Sequence, residues 1–111
     1  FFVPAITDTM GYRKGRQSGW PQPGESHREG DRATVEKWAP YLDGANFVSR
    51  IACPVRVAVG FADMTCAPCA VYASYNEIKV KDKGIKHCFG MGHHFSYDLM
   101  EDVIGWLNER Q

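Results

Sequence analysis

The sequence predicts an α/β fold in which helices flank a mostly parallel β-sheet. From residue 54 onward, patterns typical of a strand, a helix, a strand and a helix follow one another in that order. Strands that alternate with helices in this way pair in parallel through right-handed crossovers. The first of these strands also alternates valines with Arg56 and two small residues, and the small residues suit a strand buried on both faces of such a sheet.

The first part of the chain carries weaker signals. Phe1 to Ile6 is a short apolar run that predicts a strand, and Met10 to Trp20 predicts a short helix or an ordered loop. Pro21 to Asp31 contains two prolines, two glycines and no aliphatic residue, so we expect a surface loop or an insertion there. Ala33 to Trp38 predicts a helix that stops near Pro40, since the residue before a proline is disfavoured in the α region.

The strand and helix signals become clear in the middle of the chain. Asn46 to Ile51 predicts a short helical turn, and Pro54 to Phe61 is the clearest strand of the sequence. Pro68 predicts the start of a helix, because proline suits the first helical position. The apolar face of that helix falls at helical spacing on Val71, Tyr75 and Ile78.

The last part of the chain predicts one more strand and one more helix. Lys79 to Gly84 reads as a charged turn and Ile85 to Phe89 as a short strand. A glycine-rich loop then leads to a helix over Tyr97 to Asn108, with Ser96 as its N-cap. Its apolar stripe comprises Leu99, Val103, Trp106 and Leu107.

The charge and hydropathy of the chain argue against two classes of partner, nucleic acids and membranes. The chain has 13 basic and 13 acidic residues, so its formal net charge is zero, which argues against non-specific nucleic-acid binding. No apolar run approaches the roughly 18 residues that a membrane span needs. We therefore expect neither a nucleic acid nor a membrane as a partner.

The beginning of the chain predicts a fragment. It opens Phe1-Phe2-Val3-Pro4, with no initiator methionine and no polar lead-in. This pattern favours an interior strand of a longer protein over a natural terminus. We expect the sheet to leave an open edge, which the N-terminal remainder of the same protein or a second copy would cover.

Candidate catalytic residues follow the two strands after residue 54. Open α/β sheets carry their chemistry on loops at the carboxyl ends of strands; Asp63 lies in the first such loop, His93 and His94 in the second. An aspartate bonded to one ring nitrogen fixes the tautomer of a histidine and stabilises the imidazolium that forms. The pattern alone also permits a turn-forming aspartate and an exposed loop histidine.

Several segments resemble one enzyme family. Tyr41 to His93 is similar to the C-terminal part of the acetyl xylan esterase and cephalosporin-C deacetylase family, most specifically in NFVSRIACPVRVAVGFAD and in Cys-x-Pro-x-x-Val-Tyr-Ala-x-Tyr-Asn. The upstream stretch VPAITDTMGYRKGRQSGWP resembles the preceding region. The resemblance covers nearly all 111 residues apart from Pro21 to Asp31, and implies that residues 1–111 form the C-terminal portion of an α/β-hydrolase domain.

The resemblance also implies a function. Asp63 matches the acid of a Ser-Asp-His triad and His93 the base, with His94 as the competing assignment for the base. The implied reaction is hydrolysis of an acetyl ester, with an acetylated carbohydrate or another small acyl ester as substrate. The order of aspartate before histidine in the chain is that of α/β-hydrolases.

The nucleophile departs from the family pattern. The sequence has no Gly-x-Ser-x-Gly motif; in Gly15-Arg16-Gln17-Ser18-Gly19 the serine comes one place late and no strand precedes it. We therefore expect the serine and the oxyanion hole to lie outside this chain. On its own, the chain should not be a competent esterase.

Other interpretations remain open. The chain is alternatively a non-catalytic α/β domain that associates through an open sheet edge. Cys66 and Cys69 have the spacing of a thioredoxin-type redox pair, but only 42 residues follow Cys69 and none is a proline. The same two cysteines with Cys88 and His93 would make a zinc site.

For the cysteines and the aromatic residues, the sequence favours a role in packing over a role in binding. We expect neither a cofactor nor a metal, and predict Cys53 and Cys88 to be small buried apolar residues. Trp20, Trp38 and Tyr41 are consistent with a sugar-stacking surface but more typical of packing.

Overall fold

The computed structural model describes residues 4–22 and 29–111. Three helices and two strands carry the fold: α1 (Glu29–Leu42), β1 (Val55–Gly60), α2 (Pro68–Glu77), β2 (Lys83–Cys88) and α3 (Tyr97–Asn108). Short 3-10 turns lie at Gly11–Lys14, Gly44–Asn46 and Val48–Arg50. Among the described residues, no helix is both long enough and apolar enough to cross a bilayer.

The two strands pair in parallel, as the sequence predicts. The register runs from Val55 opposite Lys83 to Gly60 opposite Cys88. Helix α2 supplies the crossover between the strands, which is the arrangement expected of a βαβ unit. The carboxyl ends of both strands consequently meet at one edge of the sheet.

Strand β1 lies between two apolar layers. Its valines pack with Val71 of α2 and with Ile78, the residue after that helix, on one face. On the other face, Ala58 packs with Met91 and with Leu99 of α3. The alternation of valines and small residues therefore reflects burial on both faces, since helices cover the strand from both sides.

Helix α1 is longer than the sequence predicts at both ends. It begins at Glu29, so the last residues of the expected Pro21 to Asp31 loop are helical, while residues 23–28 lie outside the described part of the chain. It continues through Pro40 to Leu42 instead of stopping before the proline. Pro40 lies in the last turn, where few helical residues follow it, and its carbonyl accepts a hydrogen bond from the Asn46 side chain.

The predicted strand from Phe1 to Ile6 is wrong for its described residues. Residues 1–3 lie outside the described part, and residues 4–6 form no strand. Polar contacts hold the following segment instead. The buried carboxylate of Asp43 accepts hydrogen bonds from the backbone N–H groups of Asp8 and Thr9 at 2.8 Å each, and from the Thr9 hydroxyl at 2.9 Å.

Two smaller expectations also needed correction. Strand β2 begins at Lys83, two residues earlier than predicted, and ends at Cys88, one residue earlier than predicted. Its start is drawn into the sheet because the N–H of Val55 bonds the carbonyl of Asp82. In α3, Leu107 is 48% exposed, whereas Trp106 is buried.

Candidate active site

Backbone hydrogen bonds join the loops that follow β1 and β2. The N–H of Phe61 donates to the carbonyl of Cys88 at 3.2 Å, and the N–H of Ala62 donates to the carbonyl of Met91 at 3.0 Å. These bonds extend the contact between the strands beyond their ends. The loop with Asp63 and the loop with His93 are therefore held side by side.

Gly60 permits this close approach. A Cβ atom at position 60 would lie 2.6 Å from the backbone oxygen of Met91, closer than real Cβ contacts occur. The neighbour is a backbone atom, so no side chain can swing aside to relieve the clash. Glycine at the end of β1 thus sets the spacing between the two loops.

Asp63 is a buried and firmly held carboxylate. Its exposed fraction is 2%, and its Oδ1 accepts hydrogen bonds from the backbone N–H groups of Thr65 and Cys66 at 2.8 Å each. These two amides lie in the turn that leads to α2. They satisfy one carboxylate oxygen and leave Oδ2 to face His93.

His93 meets Asp63 through its Nδ1 atom. The distance between Nδ1 and Oδ2 of Asp63 is 3.1 Å, within the range the sequence-based hypothesis requires. A carboxylate only accepts hydrogen bonds, so Nδ1 carries the hydrogen and Nε2 keeps a free lone pair. The side chain of His93 is 56% exposed, whereas the carboxylate that its Nδ1 faces is buried.

His94 occupies a different position. It lines a cavity of about 170 Å³ together with Asp63, His93 and four further residues, Ala5, Cys66, Met91 and Phe95. Within residues 4–22 and 29–111, the histidine that hydrogen-bonds Asp63 is His93. The geometry thus couples the acid to the first of the two histidines.

Cys66 also contacts His93, and the sequence did not predict this contact. Its Sγ lies 3.5 Å from Nδ1 of His93. Burial, reinforced by the negative charge of Asp63, raises the pKa of its thiol to about 11. The only available signal was its position three residues after Asp63, at the start of a helix.

This environment does not fit the redox interpretation. A thioredoxin-type cysteine needs a lowered thiol pKa, whereas burial and Asp63 raise that of Cys66. All four cysteines are free thiols, and the Sγ of Cys69 donates to the carbonyl of Gln17 at 3.0 Å. Cys53 is exposed and Cys88 only partly buried, so the prediction of two buried cysteines was wrong for Cys53.

The four residues of the alternative zinc interpretation do not come together. Across the described ranges, the metal-ligating side chains that cluster are Asp63, Cys66 and His93. Cys69 and Cys88 lie outside this group. The set of three cysteines and one histidine that the spacing suggested is therefore not assembled.

The serine expected of a triad is not next to His93. Ser18, in the superficial Gly15 to Gly19 match, is buried, and its Oγ accepts a hydrogen bond from the N–H of Tyr12 at 3.1 Å. In the part of the chain that the structure describes, no serine hydrogen-bonds His93. Asp63 and His93 thus form a hydrogen-bonded pair with no serine bonded to His93 among those residues.

The aromatic residues that the sequence offered as a sugar-stacking surface line a different cleft. Trp20 and Trp38 lie in a separate, largely apolar cleft of about 390 Å³ that includes neither Asp63 nor His93. Trp38 and Tyr41 are ring neighbours, with their centroids 5.8 Å apart. The N–H of Trp20 donates to the carbonyl of Thr65, in the loop that carries Asp63, at 3.2 Å.

Comparison with known proteins identifies the family. The family model described as acetyl xylan esterase matches residues 23–109. The chain belongs to the acetyl xylan esterase family. A curated relative, acetyl esterase Axe7A of Xylanibacter ruminicola, is 36% identical over 77 residues, which cover 68% of this chain and 17% of the relative.

Solved structures agree on the fold. An acetyl xylan esterase from Paenibacillus sp. R4 superposes with a TM-score of 0.71 at 23% identity, over 94% of this chain and 34% of that structure. Acetyl xylan esterase 1 from Thermoanaerobacterium sp. JW/SL YS485 gives 0.72 at 23% identity, over 94% and 35%. The α/β-hydrolase fold is confirmed, and the chain spans about a third of the length of these two structures.

Proposed function

We propose that this chain supplies the acid and the base of a serine esterase that removes acetyl groups. One observation carries the proposal: Asp63 and His93 form a hydrogen-bonded pair in a chain of the acetyl xylan esterase family. Asp63 is the acid, His93 the base, and the nucleophilic serine comes from a part of the protein outside this chain.

Each residue has a defined role in the reaction. Nε2 of His93 takes the proton of the serine hydroxyl while the serine oxygen attacks the acetyl carbonyl. The buried Asp63 carboxylate stabilises the imidazolium that results. Nε2 then returns the proton to the departing alcohol, which leaves an acetyl-enzyme. Water, activated by the same histidine, hydrolyses that intermediate and restores the starting state.

The proposed substrate is an acetylated carbohydrate. Support comes from the names of the similar proteins, which are described as acetyl xylan esterases and an acetyl esterase. The cavity of about 170 Å³ beside Asp63 and His93 is small, which suits a short acyl group better than a long one.

The test compares two histidine variants of the full-length protein that contains this segment. We expect His93→Ala to lower kcat/KM for p-nitrophenyl acetate by about 10³-fold or more, as in other triads. His87→Ala is the matched control, because His87 lies on β2 and bonds the Tyr72 hydroxyl rather than Asp63. Acetate release from acetylated xylan should follow the same pattern.

Two results would contradict the proposal. Equal losses in the two variants would mean that His93 acts only through folding. Full activity of His93→Ala would favour the alternative of a non-catalytic interaction domain. The isolated 111-residue chain should show no more hydrolysis than free imidazole, because it lacks the nucleophile.

A further inference from the structure

We propose that Asp63, Cys66 and His93 form a binding site for a soft divalent cation such as zinc or cadmium, which inhibits the acid–base pair. One oxygen, one sulfur and one nitrogen from these residues lie within 4.8 Å of one another. Carboxylate, thiolate and imidazole are the ligands that zinc takes in proteins. The binding stands on this geometry alone, whereas the inhibition rests on the proposed esterase function.

Two of the three distances between the ligand atoms are close to those around a tetrahedral ion. Around zinc, with bonds of about 2.0–2.3 Å, neighbouring ligand atoms lie about 3.3–3.6 Å apart. Nδ1 of His93 is 3.5 Å from Sγ of Cys66 and 3.1 Å from Oδ2 of Asp63. Shifts of a few tenths of an ångström at the nitrogen would therefore bring these pairs to the required spacing.

The surroundings provide two fixed ligands and one adjustable ligand. Two backbone N–H groups hold Asp63, and Cys66 packs within the core cluster of β1 and α2. His93 is more than half exposed and follows Gly92, so its ring has room to adjust. The adjoining cavity of about 170 Å³ is larger than the roughly 30 Å³ share of a water molecule, and leaves space for a fourth ligand.

Binding would reverse the tautomer that the reaction needs. The Cys66 thiol gives up its proton to solvent, and the lone pair of Nδ1 on His93 binds the ion. The imidazole hydrogen then resides on Nε2, and no oxidation state changes. A protonated Nε2 cannot accept the serine proton, so the ion blocks the general base without reaching the nucleophile. Such an ion is an inhibitor and not a cofactor.

The experiment measures binding and inhibition separately on the full-length protein. Equilibrium dialysis against zinc chloride, followed by metal analysis, gives the affinity. Hydrolysis of p-nitrophenyl acetate at increasing zinc gives the inhibition, with each variant scaled to its own metal-free rate. We expect Cys66→Ala to weaken both by at least tenfold, and a chelator to restore activity in the unaltered protein.

Cys69→Ala is the matched control. Cys69 lies three residues after Cys66, in the first turn of α2, but its sulfur bonds the Gln17 carbonyl outside the ligand group, so this variant should keep both binding and inhibition. Cys66→Ala is to be accompanied by Cys66→Ser, which keeps nearly the same volume but replaces the soft sulfur ligand. Far-ultraviolet circular dichroism checks that both remain folded.

The outcomes separate this proposal from the esterase proposal. Cys66-dependent zinc binding in a protein without esterase activity would keep the site and reject the proposed function. An active esterase that binds no zinc, or whose binding falls equally in Cys66→Ala and Cys69→Ala, would overturn the site. Binding that depends on Cys66 without any inhibition would reject the inhibitory role.

Discussion

Oδ2 of Asp63 lies 3.1 Å from Nδ1 of His93, although 30 positions separate the two residues in the chain. Neither residue lies on a strand or a helix. Each occupies a loop that follows one of two parallel strands, and backbone bonds from Phe61 and Ala62 tie these loops together. The pair is therefore a consequence of the parallel sheet and of the bonds just beyond its edge.

Asp63→Asn should lower kcat of the full-length protein by about 10³- to 10⁴-fold. The amide nitrogen of asparagine can donate to Nδ1, which favours the tautomer with hydrogen on Nε2 and removes the base. Steady-state kinetics with p-nitrophenyl acetate measure the loss. Asp82→Asn is the control, because Asp82 is an exposed partner of Arg110; a similar loss there would contradict the assignment.

His94→Ala should change kcat/KM by less than about tenfold, far less than the loss expected for His93→Ala. His94 lines the cavity, but the hydrogen bond to Asp63 comes from its neighbour. Parallel assays of the two variants decide the competing assignment. A larger loss for His94→Ala than for His93→Ala would reverse the roles of the two histidines.

Gly60→Ala should destabilise the protein by about 1–3 kcal/mol and lower its activity. The added methyl group meets the Met91 carbonyl at 2.6 Å, so it pushes the loop that carries His93 away from Asp63. Urea unfolding and kcat measure the two effects. Gly105→Ala in α3 is the control, since its Cβ meets nothing within 4 Å and alanine favours a helix by up to about 1 kcal/mol.

Cys66 should resist iodoacetamide at neutral pH, whereas the exposed Cys53 should react readily. A pKa of about 11 leaves about one thiol in a thousand ionised at pH 8, and the thiolate is the reactive form. Because the pKa is raised, the reaction at Cys66 should quicken as the pH rises toward 11. Mass spectrometry of labelled peptides measures it; rapid labelling of Cys66 at pH 7 would show that its environment is not buried.

The elements that the sequence predicted well are those with a local signal. The alternating valines of β1, Pro68 at the start of α2 and the cap of α3 by Ser96 each act through neighbouring residues. Asp63 and His93 became candidates because parallel strands joined by one helix place their following loops together. The pattern alone left a turn-forming aspartate and an exposed histidine open, and the choice of His93 over His94 came from the family resemblance.

The features that the sequence could not predict depend on distant contacts. The start of β2 at Lys83 is set by its pairing with Val55. Helix α1 continues past Pro40, whose carbonyl accepts a hydrogen bond from the Asn46 side chain. The contact between Cys66 and His93 joins the two loops that follow β1 and β2, 27 positions apart in the chain. Such effects leave no periodic pattern in the sequence.

The buried carboxylate of Asp43 holds a second loop by hydrogen bonds, as the Asp63 carboxylate holds the loop that follows β1. It accepts hydrogen bonds from the backbone N–H groups of Asp8 and Thr9. These two residues follow shortly after Ala5, which lines the cavity beside Asp63 and His93. Under the proposed function, Asp63 orients the base, while a second aspartate, 20 residues earlier, secures the chain that borders the adjoining cavity. We therefore expect substitutions around Asp43 to alter the wall of that cavity, and with it the preference for an acyl group, while the contact between Asp63 and His93 stays as it is.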